Sequence, residues 1–157
     1  MLSLMRIAVL SLVLFATACT NIRVRPIDRT AHQITHLCIR ENPKVIVPNF
    51  LNIVKDQFAQ HQITTEVFSA DKPPGTCVYT LDYTANMTWD MSTYMYHAEL
   101  QLRKGDELIS TGNYDLRNGG GLSLAKWAST ESKMKPVIDQ MLNGVTPPKA
   151  KKAARSV

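Results

Sequence analysis

In residues 76–91, "TCVYTLDYTANMTWDM", apolar and polar positions alternate without a break from Tyr79 onward. Cys77, Tyr79, Leu81, Tyr83, Ala85, Met87, Trp89 and Met91 fall on one side. Thr80, Asp82, Thr84, Asn86, Thr88 and Asp90 fall on the other. Successive side chains of an extended chain point to opposite faces, so the spacing predicts a long strand with one apolar and one wet face. Residues 93–103 repeat the pattern, with Tyr94, Tyr96, Ala98, Leu100 and Leu102 inward and His97, Glu99 and Gln101 outward. "KGDE" at 104–107 is a turn, and Leu108, Ser110, Gly112, Tyr114 and Leu116 predict the third strand of an antiparallel meander.

The period changes on either side of this block. Phe50, Val54 and Phe58 recur every four residues, with Leu51 on the same stripe, which predicts an amphipathic helix over about 49–61 capped by Asn49. "QITHLCIR" (33–40) before it and "ITTEVF" (63–68) after it read as strands, and "SADKPPG" as a turn. Near the C-terminus Met134, Val137, Ile138, Met141 and Leu142 line a second helix, from a Ser129 or Thr130 cap to about Leu142, with Pro136 inside it. "RNGGG" (117–121) is a flexible break before that helix. The order is β-α-β-β-β-β-α, an α+β fold. Its economical packing is a two-layer roll, a mostly antiparallel sheet with both helices on its one apolar face.

The first 18 residues, "MLSLMRIAVLSLVLFATA", have the layout of an export signal. Arg6 precedes roughly a dozen apolar residues, and small residues close the run. The run is short of the ~20 residues that span a bilayer. "ATAC" (16–19) resembles the bacterial lipobox, in which small residues precede a cysteine so that a peptidase can approach the backbone closely. Ala16 departs from that pattern, where Leu is commoner. The resemblance implies diacylglycerol on Cys19, removal of the leader, and acylation of the new terminal amine. Several chains, at about 0.8 kcal/mol per buried methylene, hold a protein to a membrane permanently where one does not. Thr20 is not the Asp that favours inner-membrane retention, which by analogy points to the outer membrane, facing the periplasm. The plainer alternative is a secreted protein cleaved after Ala18.

Cysteine count follows from this. There are three cysteines, Cys19, Cys38 and Cys77, and acylating Cys19 leaves a pair. In an oxidising compartment Cys38–Cys77 is the expected disulfide, closing a loop worth roughly 4 kcal/mol in chain entropy. Two separate buried thiols are the alternative. The implied organisation is a leader at 1–18, a lipidated polar tether at 19–32, an α+β domain at 33–144 and a basic disordered tail at 145–157. The net charge of +5 resides in the leader and in that tail, which leaves the domain near neutral and argues against nucleic-acid binding.

"GLSLAKWASTESKMKPVIDQML" (121–142), with the lipobox and the long alternating strands, resembles an uncharacterised family of small proteobacterial lipoproteins. The element order is also similar to the lipopolysaccharide-assembly lipoprotein and to auxiliary lipoproteins of lipid-transport ABC systems. Likeness of fold does not carry function, and no functional residue transfers.

Candidate chemistry is sparse. His32 and His36 are four apart, but the zincin pattern has Glu after the first His and Gln33 stands there, so no metal or other cofactor is expected. Asp82 and Asp90 spread along one strand rather than converging. No nucleophile elbow or phosphate loop is present. The expected protein is not an enzyme. It is a lipoprotein held to the membrane by acyl chains on Cys19, with an envelope protein as partner. The candidate partner face is the polar one: Thr80, Asp82, Thr84, Asn86, Thr88, His97, Glu99 and Gln101. A transport auxiliary is the alternative reading.

Overall fold

The computed structural model describes residues 20–116 and 124–143. The leader, Cys19, the glycine-rich break and the basic tail lie outside the described residues. The fold is α+β. Six strands form one mixed sheet: β1 (Thr20–Arg25), β2 (His36–Arg40), β3 (Thr64–Phe68), β4 (Tyr79–Asp90), β5 (Ser92–Lys104) and β6 (Glu107–Leu116). They lie in the order β1-β6-β5-β4-β2-β3. Helices α1 (Phe50–Gln60) and α2 (Thr130–Asn143) both pack into the single apolar core, and a 3-10 turn, Leu124–Trp127, leads into α2.

The stretch read as a tether contains a strand. β1 pairs antiparallel with β6 from Thr20–Leu116 to Arg25–Thr111. Ile22 and Val24 pack against the core while Arg23 and Arg25 stay exposed. Charged positions of this kind suit an edge strand, because they discourage pairing with a further chain. The backbone beyond β1 is then fixed by Ile27, whose N–H donates to the Met141 carbonyl of α2 at 2.9 Å.

α1 buries the predicted stripe of Phe50, Val54 and Phe58. Asn49 precedes it for a different reason from the expected cap. Its backbone is left-handed (φ 58°), its side chain accepts from Asn52 rather than from a backbone N–H, and Asn tolerates that conformation well. The helix ends in a Schellman pattern: Gln62 N–H bonds Ala59 O at 2.9 Å and Ile63 N–H bonds Phe58 O at 3.1 Å, with Gln62 at φ 62°. α2 is capped by Ser129, whose Oγ accepts from Ser132 N–H at 3.1 Å. It continues through Pro136. His61 Nε2, 2.8 Å from Asp139, ties the two helices together.

α2 can lie close on β6 because Gly112 has no side chain. A Cβ there would come within 2.5 Å of Met141 Sδ and 2.6 Å of Val137 Cγ1. On the meander, alternation predicts most of the inward set, including Leu81, Tyr83, Ala85, Ala98, Leu100, Leu102 and Tyr114. It fails at two bulges. Asn86 pairs with His97 and Met87 with Met95, so Tyr96 is an extra residue on β5; it turns outward and Met95 takes the core position. Ile109 is the extra residue on β6 and is buried.

β2 lies between β3 and β4 and runs parallel to both. The β2–β3 link is α1. The β3–β4 link, residues 69–78, must also cross back along the sheet, and it does so without a helix. It is fixed instead by the Cys38–Cys77 disulfide (Cα–Cα 5.7 Å) and by Arg40, which donates to the Ala70 and Asp71 carbonyls at 3.1 and 2.8 Å.

Candidate partner face and anchor point

Pairing brings the expected polar residues together on the side of the sheet away from the helices. Thr84 lies opposite Glu99, Asp82 opposite Gln101, Asn86 opposite His97, and Thr80 opposite Arg103. Thr84, Asn86 and Thr88 are exposed, as the alternation predicts. Thr80 is not: it is buried beside Cys38, its neighbour on β2. Trp89 and Met91, read as inward, are exposed, because the hairpin they belong to runs beyond the core.

Two ionic groups organise this face. Toward β2, Arg40 Nε donates to Asp82 at 2.9 Å while its guanidinium lies 5.0 Å above the Phe68 ring, and Arg103 approaches Asp82 at 3.8 Å. Arg103 also reaches Gln101 at 3.1 Å, and Gln101 donates to Glu99 at 2.8 Å. Toward β1, Asp115 receives Arg23 at 2.9 Å and His97 at 2.8 Å. Burial alone would raise the Asp115 carboxyl, but those two hydrogen bonds and charges outweigh it and hold the group below its ordinary value.

Beside the first of these groups lies an open depression of about 370 Å³, lined by Arg40, Glu41, Asn42, Asp82, Tyr83, Thr84, Glu99 and Gln101. Five of those residues come from β4 and β5. Arg40, Glu41 and Asn42 come from the end of β2, and the sequence offered no signal for them because only the β2–β4 pairing brings them here. Asn42 is locked in place by its Nδ2 bond to the Tyr83 carbonyl at 2.9 Å. The lining residues carry carboxylates, amides and one paired guanidinium, yet most of the surface they expose in the depression is apolar, a mixture suited to a peptide surface.

The two carboxylates considered for acid–base work do not meet. Asp82 is engaged by Arg40 and Arg103, and Asp90 by Lys126 at the far end of β4. His32 and His36 are likewise separate. His32 meets the Tyr79 ring edge-on at 6.2 Å, whereas His36 Nδ1 contacts Thr64 Oγ1 at 3.0 Å. Ligand atoms of His36, Cys38 and Glu66 do lie within 4.8 Å of one another. A metal would need Cys38 as a thiolate, and its sulfur is held in the disulfide with Cys77.

The far end of β4 and β5 is built differently. Its last four rungs, Met87–Met95 to Asp90–Ser92, have no third strand among the described residues: β2 stops at Leu81 and β6 meets β5 no further than His97. The 3-10 turn supports it from one side. Lys126, itself buried, pairs with Asp90 and lies 5.3 Å from the Tyr94 ring centroid, and Trp127 meets Tyr94 at 6.4 Å. Lys133 of α2 is also buried. It donates to the Met95 and Lys126 carbonyls at 3.0 and 3.1 Å, and desolvation pushes its pKa down.

No family model matches the chain, and comparison with curated proteins gives no match. Its structure is similar to that of PelC from Paraburkholderia phytofirmans. A point-variant PelC dodecamer in space group C2 superposes with a TM-score of 0.47 and 10% identity, covering 75% of this chain and 96% of that one. The PelC dodecamer in space group P6 superposes at 0.43 and 10%, over the same shares. At this level of likeness neither PelC's assembly nor any role transfers to the present chain.

Proposed function

We propose that the chain is a non-catalytic lipoprotein, acylated at Cys19 and held to the periplasmic side of the outer membrane, whose open sheet face receives an envelope protein. The observation that carries this reading is the use of its cysteines. Cys38 and Cys77 are joined, which suits an oxidising compartment. That leaves Cys19 as the one cysteine outside this bond and still without an assigned role, at the end of an export-type leader. Acylation gives it one. The next residue, Thr20, already belongs to β1, so the anchor adjoins the sheet in sequence.

Labelled palmitate should enter the mature protein and be absent from Cys19→Ala; a mature protein with a free Cys19 thiol would overturn the reading. The carboxylate and amide ends around the Arg40–Glu99 depression, those of Glu41, Asp82, Glu99 and Gln101, offer hydrogen bonds that a protein surface can meet. Photocrosslinkers at Thr84 or Glu99 should therefore capture an envelope protein. Capture of lipid or lipopolysaccharide instead would favour the transport-auxiliary reading.

A further inference from the structure

The geometry points to the β4–β5 hairpin tip, together with Trp127, as a second membrane contact: a wedge that sits in the headgroup region of the same bilayer that holds Cys19. Three observations converge on it. The first is exposure. Trp89 is 71% exposed, Met91 85% and Trp127 51%, three of the six exposed large apolar side chains among the described residues, and the first two sit at the hairpin tip. Tryptophan favours the boundary between hydrocarbon and water, where its ring is buried and its N–H stays wet.

The second is position. Thr20, covalently next to Cys19, pairs with Leu116, whose neighbour Asp115 pairs with His97. The anchor therefore leaves the sheet level with Tyr96, at the end where the hairpin projects. From Tyr96 the hairpin extends four more residues to Ser92, or roughly 13 Å at the usual rise of a strand. A bilayer reached by acyl chains on Cys19 thus lies at the end of the sheet from which the tip with Trp89 and Met91 projects, and Thr20, the residue after Cys19, already belongs to β1.

The third is charge. The only carboxylate of the tip, Asp90, is paired with Lys126, so entering the headgroup region does not require stripping water from an uncompensated anion. Lys133 holds the Lys126–Trp127 turn and the Met95 strand together from beneath, so Trp127 and the hairpin are presented as one unit.

This inference rests on acylation at Cys19, and one experiment separates the two. Trp89 and Trp127 are the only tryptophans of the chain, so intrinsic fluorescence reports this wedge alone. The mature protein, its acyl chains verified by mass, is reconstituted into phosphatidylethanolamine–phosphatidylglycerol vesicles. The Trp89→Phe and Trp127→Phe variants read each ring separately. The expected result is a blue shift of each emission on vesicle binding, with stronger quenching by lipids brominated near the headgroup than by lipids brominated near the chain end. Acylated protein that floats with vesicles while both emissions stay unshifted and unquenched would overturn the wedge and leave the anchor intact. A bare Cys19 in the mass spectrum would overturn both. A blue shift that appears without vesicles and grows with protein concentration would assign the patch to a second copy of the chain, and would also overturn the wedge.

Discussion

The 69–78 crossover and the β4–β5 hairpin tip both lie outside the core, yet they are secured by opposite means. The crossover carries few apolar groups and follows the polar face, so burial cannot hold it. A covalent bond and one arginine do so instead: Cys38–Cys77, and Arg40 reaching Ala70 and Asp71. The tip carries Trp89 and Met91, yet these side chains are not folded inward. It is held by its own ladder and, through Tyr94 and Met95, by two buried lysines. A connection without apolar content needs a tie to stay on the sheet. A projecting element with apolar content needs support to keep that content off the core.

The largest test of this contrast is removal of the disulfide. Cys38→Ser with Cys77→Ser should cost about 4 kcal/mol of unfolding free energy in urea, with tryptophan emission unchanged below the transition because the tip does not depend on the staple. A cost under about 1 kcal/mol would show that Arg40 alone fixes the crossover.

Gly112→Ala acts next, on the support of the tip rather than on the crossover. The new methyl meets Met141 and Val137 and should lift α2 from β6, at a cost of about 1–3 kcal/mol. Because Lys133 rides on α2, Trp127 emission should change as well. An unchanged spectrum would separate the tip from the helix.

A smaller effect concerns Lys133 itself. Burial lowers its pKa in the folded protein, so over the interval between that lowered value and the ordinary lysine value the unfolded chain binds more protons. Stability therefore rises with pH through that interval and is lost again as pH falls back through it. Lys133→Met should lack this rise, and comparison of the two unfolding free energies from neutral to alkaline pH reads the difference. The smallest effect is expected at the tip's own surface: Trp89→Ala should leave stability within about 0.5 kcal/mol of the parent in the absence of membrane. A larger loss would mean that Trp89 serves the fold.

Patterns with a single period were legible before the structure. The meander, both helices and the Cys38–Cys77 pairing came from alternation, four-residue spacing and cysteine parity. β1 was missed because its arginines and Pro26 resemble a linker, although Asn21, Ile22, Arg23, Val24 and Arg25 do alternate. Tyr96 was placed inward because a bulge leaves no local mark; it arises from how β5 meets two neighbours at once. Five of the eight residues around the depression, Asp82, Tyr83, Thr84, Glu99 and Gln101, come from the meander alone. Arg40, Glu41 and Asn42 required the β2–β4 pairing, a long-range contact that no local spacing encodes.

β1 is the first described stretch of the chain, and among the described residues its one strand partner is β6, the last of the six strands. A polypeptide made from its N-terminus therefore displays Ile22 and Val24 long before their β6 partners Tyr114 and Gly112 exist. The sheet closes late, by the contact that costs the most loop entropy. Until then the newborn chain stays open along its leading edge, and an open chain is the form that can still be threaded through a narrow passage.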